Sequence, residues 1–413
     1  MGISLSRWLR ISFFNLLIVA FIGMILRYKI AFSLPIVDQK NLLHGHSHFA
    51  FGGWITQVLM VLLVHYLSQH KGEVFYKKYR WLLYGNLLSA YGMLIFFPVQ
   101  GYAAGSIIFS TLSIINSYFF AVMYWRDLNE LPFKNISHYW FKAALIFLVI
   151  SSLGAFSLAF MMVNKVMHQK YYLAAVYYFL HFQYNGWFFF AAMGLLVSRL
   201  EIIIKAIKKF KAIFWLFCLS CVPAYFLSVL WMPIPLIVYC LVVASALAQF
   251  AGWMILIRLM LNNKASILSF IPKKGRQLLL LSAIALSLKL LLQLGSTHPA
   301  LSQLAFGFRP IVIGYLHLVL LGVITIFLLG YIISMNMVNA GRTSITGAWI
   351  FVSGIIINEI LLMLQGVTGL SYIMVPFINE SLFVVAIIMF SGILVFFLNS
   401  GNGKNSLDVQ PSL

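Results

Sequence analysis

The sequence predicts an all-α integral membrane protein with twelve transmembrane helices in three pseudo-symmetric four-helix arcs. Three observations carry that prediction. Of the 413 residues, 62% are hydrophobic and only 9% charged, whereas a soluble domain is about half apolar and a quarter charged. The chain holds twelve apolar runs, each near the roughly 20 residues that cross a bilayer as a helix. A His-x4-Gly pattern also recurs at His48 and Gly53, His181 and Gly186, and His317 and Gly322, at intervals of 133 and 136 residues.

Taken in order, the runs are 11–27, 43–66, 81–97, 103–124, 141–163, 174–198, 212–232, 235–260, 277–294, 311–335, 344–364 and 382–398. Turn residues punctuate them, as in PVQG, NELPFKN, NNKASILSFIPKKGR and NAGRTS. The first follows Arg7 and Arg10 without a small-residue cleavage site, so it reads as a retained span and not a signal peptide. Residues 1–400 form a single transmembrane domain with repeats of about 1–135, 136–276 and 277–400, and the polar stretch 401–413 reads as a disordered cytoplasmic tail.

The net charge of +20 invites a nucleic-acid partner, but its distribution excludes one. Six of the 28 basic residues (Arg27, Lys29, Lys40, Lys165, Lys170, Arg309) fall on one side of the alternating runs, Lys289 lies inside a run, and the remaining 21 fall on the N-terminal side. That is positive-inside asymmetry, with both termini cytoplasmic, and the setting is a bacterial inner membrane. The three cysteines, Cys218, Cys221 and Cys240, all sit in apolar runs and suggest no disulfide framework.

The repeated histidines open runs two, six and ten, so the period is four spans. Two repeated halves, common in transporters, would give five or six. All three runs cross from outside inward, which places the imidazoles at one depth toward the outer side. The second run begins NLLHGHSHFAFGGW. Histidine inside a membrane helix is rare and points to function, and here there are three. On a helix, His46 and His48 point about 200° apart while His44 and His48 share a flank. Two flat macrocycles on either side of one helix need that geometry. Other readings are an interfacial polar cluster satisfied by water and backbone carbonyls, and a zinc site on His44 and His48 that lacks an evident third ligand.

These residues resemble a family. HSHFAFGGW is similar to the tenth helix of nitric oxide reductase catalytic subunits, HxHxAFxG, in the haem-copper oxidase superfamily. HFQYNGWFFFAAMG, from His181, resembles their sixth helix, HLWVEGVWELIMG. YLHLVLLGVITIFLLG, around His317, resembles their second, LHLNLLIVWLLLG. The resemblance implies one or two b-type haems, with His46 on a five-coordinate haem, His48 and His317 on a six-coordinate one, and His181 facing a second metal. The order is permuted, since the tenth-helix motif stands on the second run and the second-helix motif on the tenth.

A further departure concerns that metal. The family's seventh helix supplies a His-His pair, whereas KAIFWLFCLSCVPAYFLSVLWMPIP has none. Cys218 and Cys221 share a face and are soft ligands, but the sequence places them in the inner part of the run, well below His181, as packing residues. Asn185 stands where the family has its acid. Copper or non-haem iron is thus short of ligands. The resemblance implies a diatomic gas as ligand, nitric oxide before oxygen, with electrons from an external donor or partner subunit and lipid around the chain. Whether it is an oxidoreductase or a haem-based sensor without turnover stays open, as does a haem-free transporter.

Among the remaining polar residues, Glu359 beside Asn358 reads as a proton-relay residue or a neutral hydrogen-bonded acid. Arg309 lies eight residues before His317, roughly 12 Å along a helix. It reads, like Lys289 and Arg27, as a partner for a haem propionate or as a snorkelling cation. His65, His70, His138, His168 and His298 lie at run ends or in loops, where solvated histidine is expected.

Overall fold

A computed structural model describes residues 4–72, 74–166, 168–302 and 308–402. Among these, eleven helices are long and apolar enough to cross a membrane, and a bent pair makes a twelfth span. They are α1 (Leu5–Phe32), α2 (Gln39–Lys71), α3 (Val74–Gln100), α4 (Ala104–Asn129), α5 (Ile136–Val163), α6 (Gln169–Ile203), α7 (Ile207–Cys221), α8 (Leu236–Asn262), α9 (Lys273–Gly295), α10 (Arg309–Ser334), α11 (Arg342–Leu370) and α12 (Ile378–Asn399). Their outward side chains, such as Leu88, Phe160, Leu219 and Leu280, are exposed and apolar, the inverse of a soluble surface. The chain is a multi-pass membrane protein.

The seventh span is not the straight helix the sequence predicts over 212–232. It stops at Cys221 and resumes as a 3-10 turn, Pro223–Val229, bent by 45°. Pro223 has no N–H to donate, and its ring collides with the carbonyl one turn back, so the α-helix ends before it. The tail expected to be disordered from 401 instead begins as a strand. Ser400–Asn402 pairs antiparallel with Val338–Ala340, and residues 403–413 lie outside the described ones.

The chain divides into two compact units. The first comprises Met1–Tyr124, Lys273–Leu279 and Thr325–Leu413. In it α11 packs along α12, α12 along α1 and α2 along α3, around an aromatic core in which Phe13 meets Phe396 at 4.9 Å and Trp54 at 5.8 Å. The second comprises Trp125–Pro272 and Leu280–Ile324. There α5 packs on α6 and α7 on α8, with Trp140 between Phe190 (5.1 Å) and Phe214 (5.3 Å).

Each His-x4-Gly repeat runs into a π-helical segment: Ala50–Thr56 in α2, Phe182–Phe188 in α6 and Leu318–Thr325 in α10. Such wide turns are rare and cluster at functional sites. Widening interrupts the usual carbonyl ladder, and side chains of neighbouring helices take up carbonyls there. Asn15 donates to Gly53 O (2.6 Å) and Asn86 to Gly52 O (2.9 Å). Cys221 Sγ donates to Asn185 O (3.8 Å), and Ser282 Oγ to Val323 O (2.7 Å). The repeated glycine marks close packing at the same place. A β-carbon on Gly53 would stand 2.6 Å from the Phe49 ring, and one on Gly186 2.6 Å from Phe147 Cβ.

Candidate functional site

Asp38 starts α2 by accepting a hydrogen bond from the Asn41 N–H (2.7 Å), the N-cap role that suits a short acid. Half a dozen residues on, a β-carbon at Gly45 would meet the Pro98 ring at 2.8 Å. Only glycine lets α2 approach α3 so closely, and this sets how the flanking histidines face. His48 stacks on Phe97 at 4.3 Å and its Nε2 lies 3.3 Å from the Tyr102 hydroxyl, while His44 meets the Tyr102 ring edge-on at 4.8 Å. His46 turns the other way, toward α1, with its Cε1 3.3 Å from where a Gly23 β-carbon would stand. The two flanks follow the helical spacing read from the sequence.

Two imidazole nitrogens of this cluster, His44 Nε2 and His46 Nδ1, are buried without a hydrogen-bond partner among the described residues. Buried polar atoms are almost always partnered, and an exception asks for a missing ion or ligand. A haem iron is such a partner, so this part of the first unit fits the group. On the Phe97–Tyr102 flank the unpartnered nitrogen is His44's, whereas the sequence puts His48 first. Near His46, Arg27 lies within electrostatic range of both His46 and Glu359. Glu359 itself is half-buried and accepts from Asn358 Nδ2 (3.1 Å).

In the second unit His181 is buried, and both ring nitrogens are committed. Nε2 donates to Cys221 O (2.9 Å), and Nδ1 accepts from Asn185 Nδ2 (3.1 Å). Cys221 is thus beside His181 and not well below it. The sequence-based depth assumed a straight α7, whereas α7 ends at Cys221. Cys221 is buried, Cys218 half-buried and Cys240 exposed, all as free thiols. Among the described residues no group of three His, Cys, Asp or Glu side chains gathers to hold a metal. With both nitrogens engaged, His181 does not fit a second metal.

His317 Nδ1 donates to Ile313 O (2.9 Å). Two residues earlier, Tyr315 lies 6.4 Å from Tyr184 of α6, ring to ring. Arg309 is exposed in the first turn of α10, and Lys289 is buried and donates to Gln293.

Two histidines depart from the solvated state expected of them. His65 is buried, with Nδ1 2.8 Å from the Tyr76 hydroxyl, and His138 is buried in the first turn of α5. Sequence reading also passed over Asn15, Asn86 and Gln249. Each is a lone amide in an apolar run, and that isolation is the signal that marks them.

No family model matches the chain, and no curated protein matches it by sequence. A search of solved structures does find likeness. A chain from the cryo-EM structure of a haem-copper terminal oxidase dimer superposes with a TM-score of 0.67 over 96% of this chain and 84% of that one, at 12% identity. This protein has a fold similar to that of a haem-copper terminal oxidase chain.

Proposed function

We propose that this chain is a haem-binding protein of the bacterial inner membrane, with both termini cytoplasmic, that handles a diatomic gas, nitric oxide in preference to oxygen. The observation that carries the reading is the pair of partnerless buried nitrogens, His44 Nε2 and His46 Nδ1, on the helix whose HSHFAFGGW motif resembles a haem-ligating helix, in a fold similar to a haem-copper oxidase. His46 would hold one haem. His44 or His48, on the other flank of the helix, is a candidate ligand for a second, and in the second unit His317 is a candidate ligand as well.

A haem held there would supply gas binding and electron-transfer chemistry. The chain's own residues set the surroundings. Tyr102 and Phe97 fix the His44–His48 flank, and Arg27 lies close enough to His46 and Glu359 to balance charge beside them. Glu359 would hold a proton. Electrons come from an external donor or partner subunit.

Gas binding without rapid turnover is the form of this activity that the second unit favours, because His181 already spends both nitrogens on Cys221 and Asn185. The test is spectroscopic. Protein purified from haem-replete cells should show a Soret band and bind CO or NO when reduced. A colourless preparation would overturn the reading.

A further inference from the structure

Within the second unit, α9 carries Lys289 in the apolar stretch SLKLLLQLG. The residue is only 5% exposed. Its ammonium donates to Gln293 Oε1 (2.6 Å), one turn further on, and Gln293 Nε2 donates to Gln249 Oε1 (2.8 Å) on α8. The chain of bonds runs one way. Each amide oxygen in it accepts from the donor before it, and the N–H groups without a bond in the chain are the remaining N–H bonds of Lys289 and the NH2 of Gln249. No carboxylate pairs with Lys289 among the described residues.

Lys289 and Gln249 line a small cavity with Asn185, walled by Phe189, Phe190, Phe217, Leu286 and Leu290. Its volume is about 10 Å³, room for the centre of one water-sized occupant. An ammonium in such surroundings without a counter-charge is costly. A single monovalent anion in this cavity would supply the counter-charge and accept from both donors.

We propose that the second unit contains a binding site for one halide-sized anion, chloride among the common ones, held by the Lys289 ammonium and the Gln249 amide. Asn185, already committed through Nδ2 to His181, closes the site on the α6 side. Polyatomic anions such as sulfate exceed the space. The site makes no use of haem, so it stands or falls independently of the gas-binding proposal.

Thermal unfolding of the full chain in detergent tests it, with chloride titrated against gluconate at fixed ionic strength. The parent should show an upward shift of the midpoint that saturates with chloride. Lys289→Met should remove the chloride response and, in gluconate, melt no lower than the parent, because an unpaired buried charge has been replaced by an apolar chain of similar length. Should Lys289→Met fail to accumulate, Gln249→Glu serves instead. It installs a permanent carboxylate beside the ammonium and should likewise cancel the response. A parent midpoint that is flat in chloride, as expected of a neutral amine with a water, would overturn the proposal. So would a chloride response that survives in the variants.

Discussion

The helix that opens with His44, His46 and His48 and the helix that carries His181 share a plan: histidine, a π-helical segment, and a glycine five residues after the histidine. They differ in what completes the imidazoles. In the first unit two buried ring nitrogens of the His44–His46–His48 cluster have no partner among the described residues. In the second, a backbone carbonyl and an amide occupy both nitrogens of His181. The open nitrogens belong to the two histidines that α2 carries before the repeat position, His44 and His46; at the repeat position itself His48 meets the Tyr102 hydroxyl, and the site at His181 is closed by the protein itself. Exposing Cys221 O, by ending α7 before Pro223, and placing Asn185 four residues after His181 are enough to close it.

The sharpest way to break this contrast is to remove imidazoles one at a time. His46→Ala should abolish one haem signal while the protein still inserts, whereas His181→Ala should leave haem content unchanged. Difference spectra and haem quantification on purified protein decide it. Loss of haem in His181→Ala would show that the closed site opens to a ligand. On the other flank of α2, whichever of His44→Ala and His48→Ala loses the six-coordinate signal names the ligand there. The unpartnered nitrogen favours His44, the motif favours His48, and His298→Ala is the silent control.

The next effects are on stability. Asn86→Leu removes the donor to both Gly52 O and Gln57 Oε1 (2.9 and 2.8 Å), leaving a π-segment carbonyl and a buried amide oxygen without it. Asn185→Leu leaves His181 Nδ1 buried and unpaired. A stranded buried polar group costs about 1–3 kcal/mol, so both variants should melt lower than the parent, Asn86→Leu the more so, with Asn185→Leu retaining its haem. An unchanged midpoint for Asn185→Leu would mean that His181 has found another partner, and metal analysis of that variant would show whether it is an ion.

Much of this was legible in the sequence, and the limits have physical causes. Apolar runs gave the spans because a bilayer demands about 20 such residues, and the two-flank arrangement of His44, His46 and His48 follows from helical geometry alone. The π-helical segments are hidden from an apolar pattern, because a run of continuous apolar residues reads the same at a period of 3.6 or wider. The depth of Cys221 is illegible for a related reason: counting residues along a run presumes one straight helix, and this span bends by 45° at Pro223. His65 and His138 were read as solvated from their positions near run ends, where sequence alone does not show which neighbours cover them.

A last comparison, reaching down to the smallest effect, is between the repeat positions themselves. At Gly186 an added β-carbon would stand 2.6 Å from Phe147 Cβ. That neighbour is the root of a side chain, able to move only with its helix, so Gly186→Ala should cost about 1–3 kcal/mol through overpacking. At Gly322 the nearest atoms are Ala285 Cβ at 3.3 Å and Leu318 Cδ1 at 3.4 Å, contacts relieved by a shift of a few tenths of an ångström. Alanine also restricts the unfolded chain and favours helix over glycine by roughly 0.5–1 kcal/mol. The two terms nearly cancel, so Gly322→Ala should change the melting midpoint little. Equal destabilisation by the two substitutions would mean that the π-helical segment of α10 needs glycine for its backbone, making that position as constrained as the one in α6.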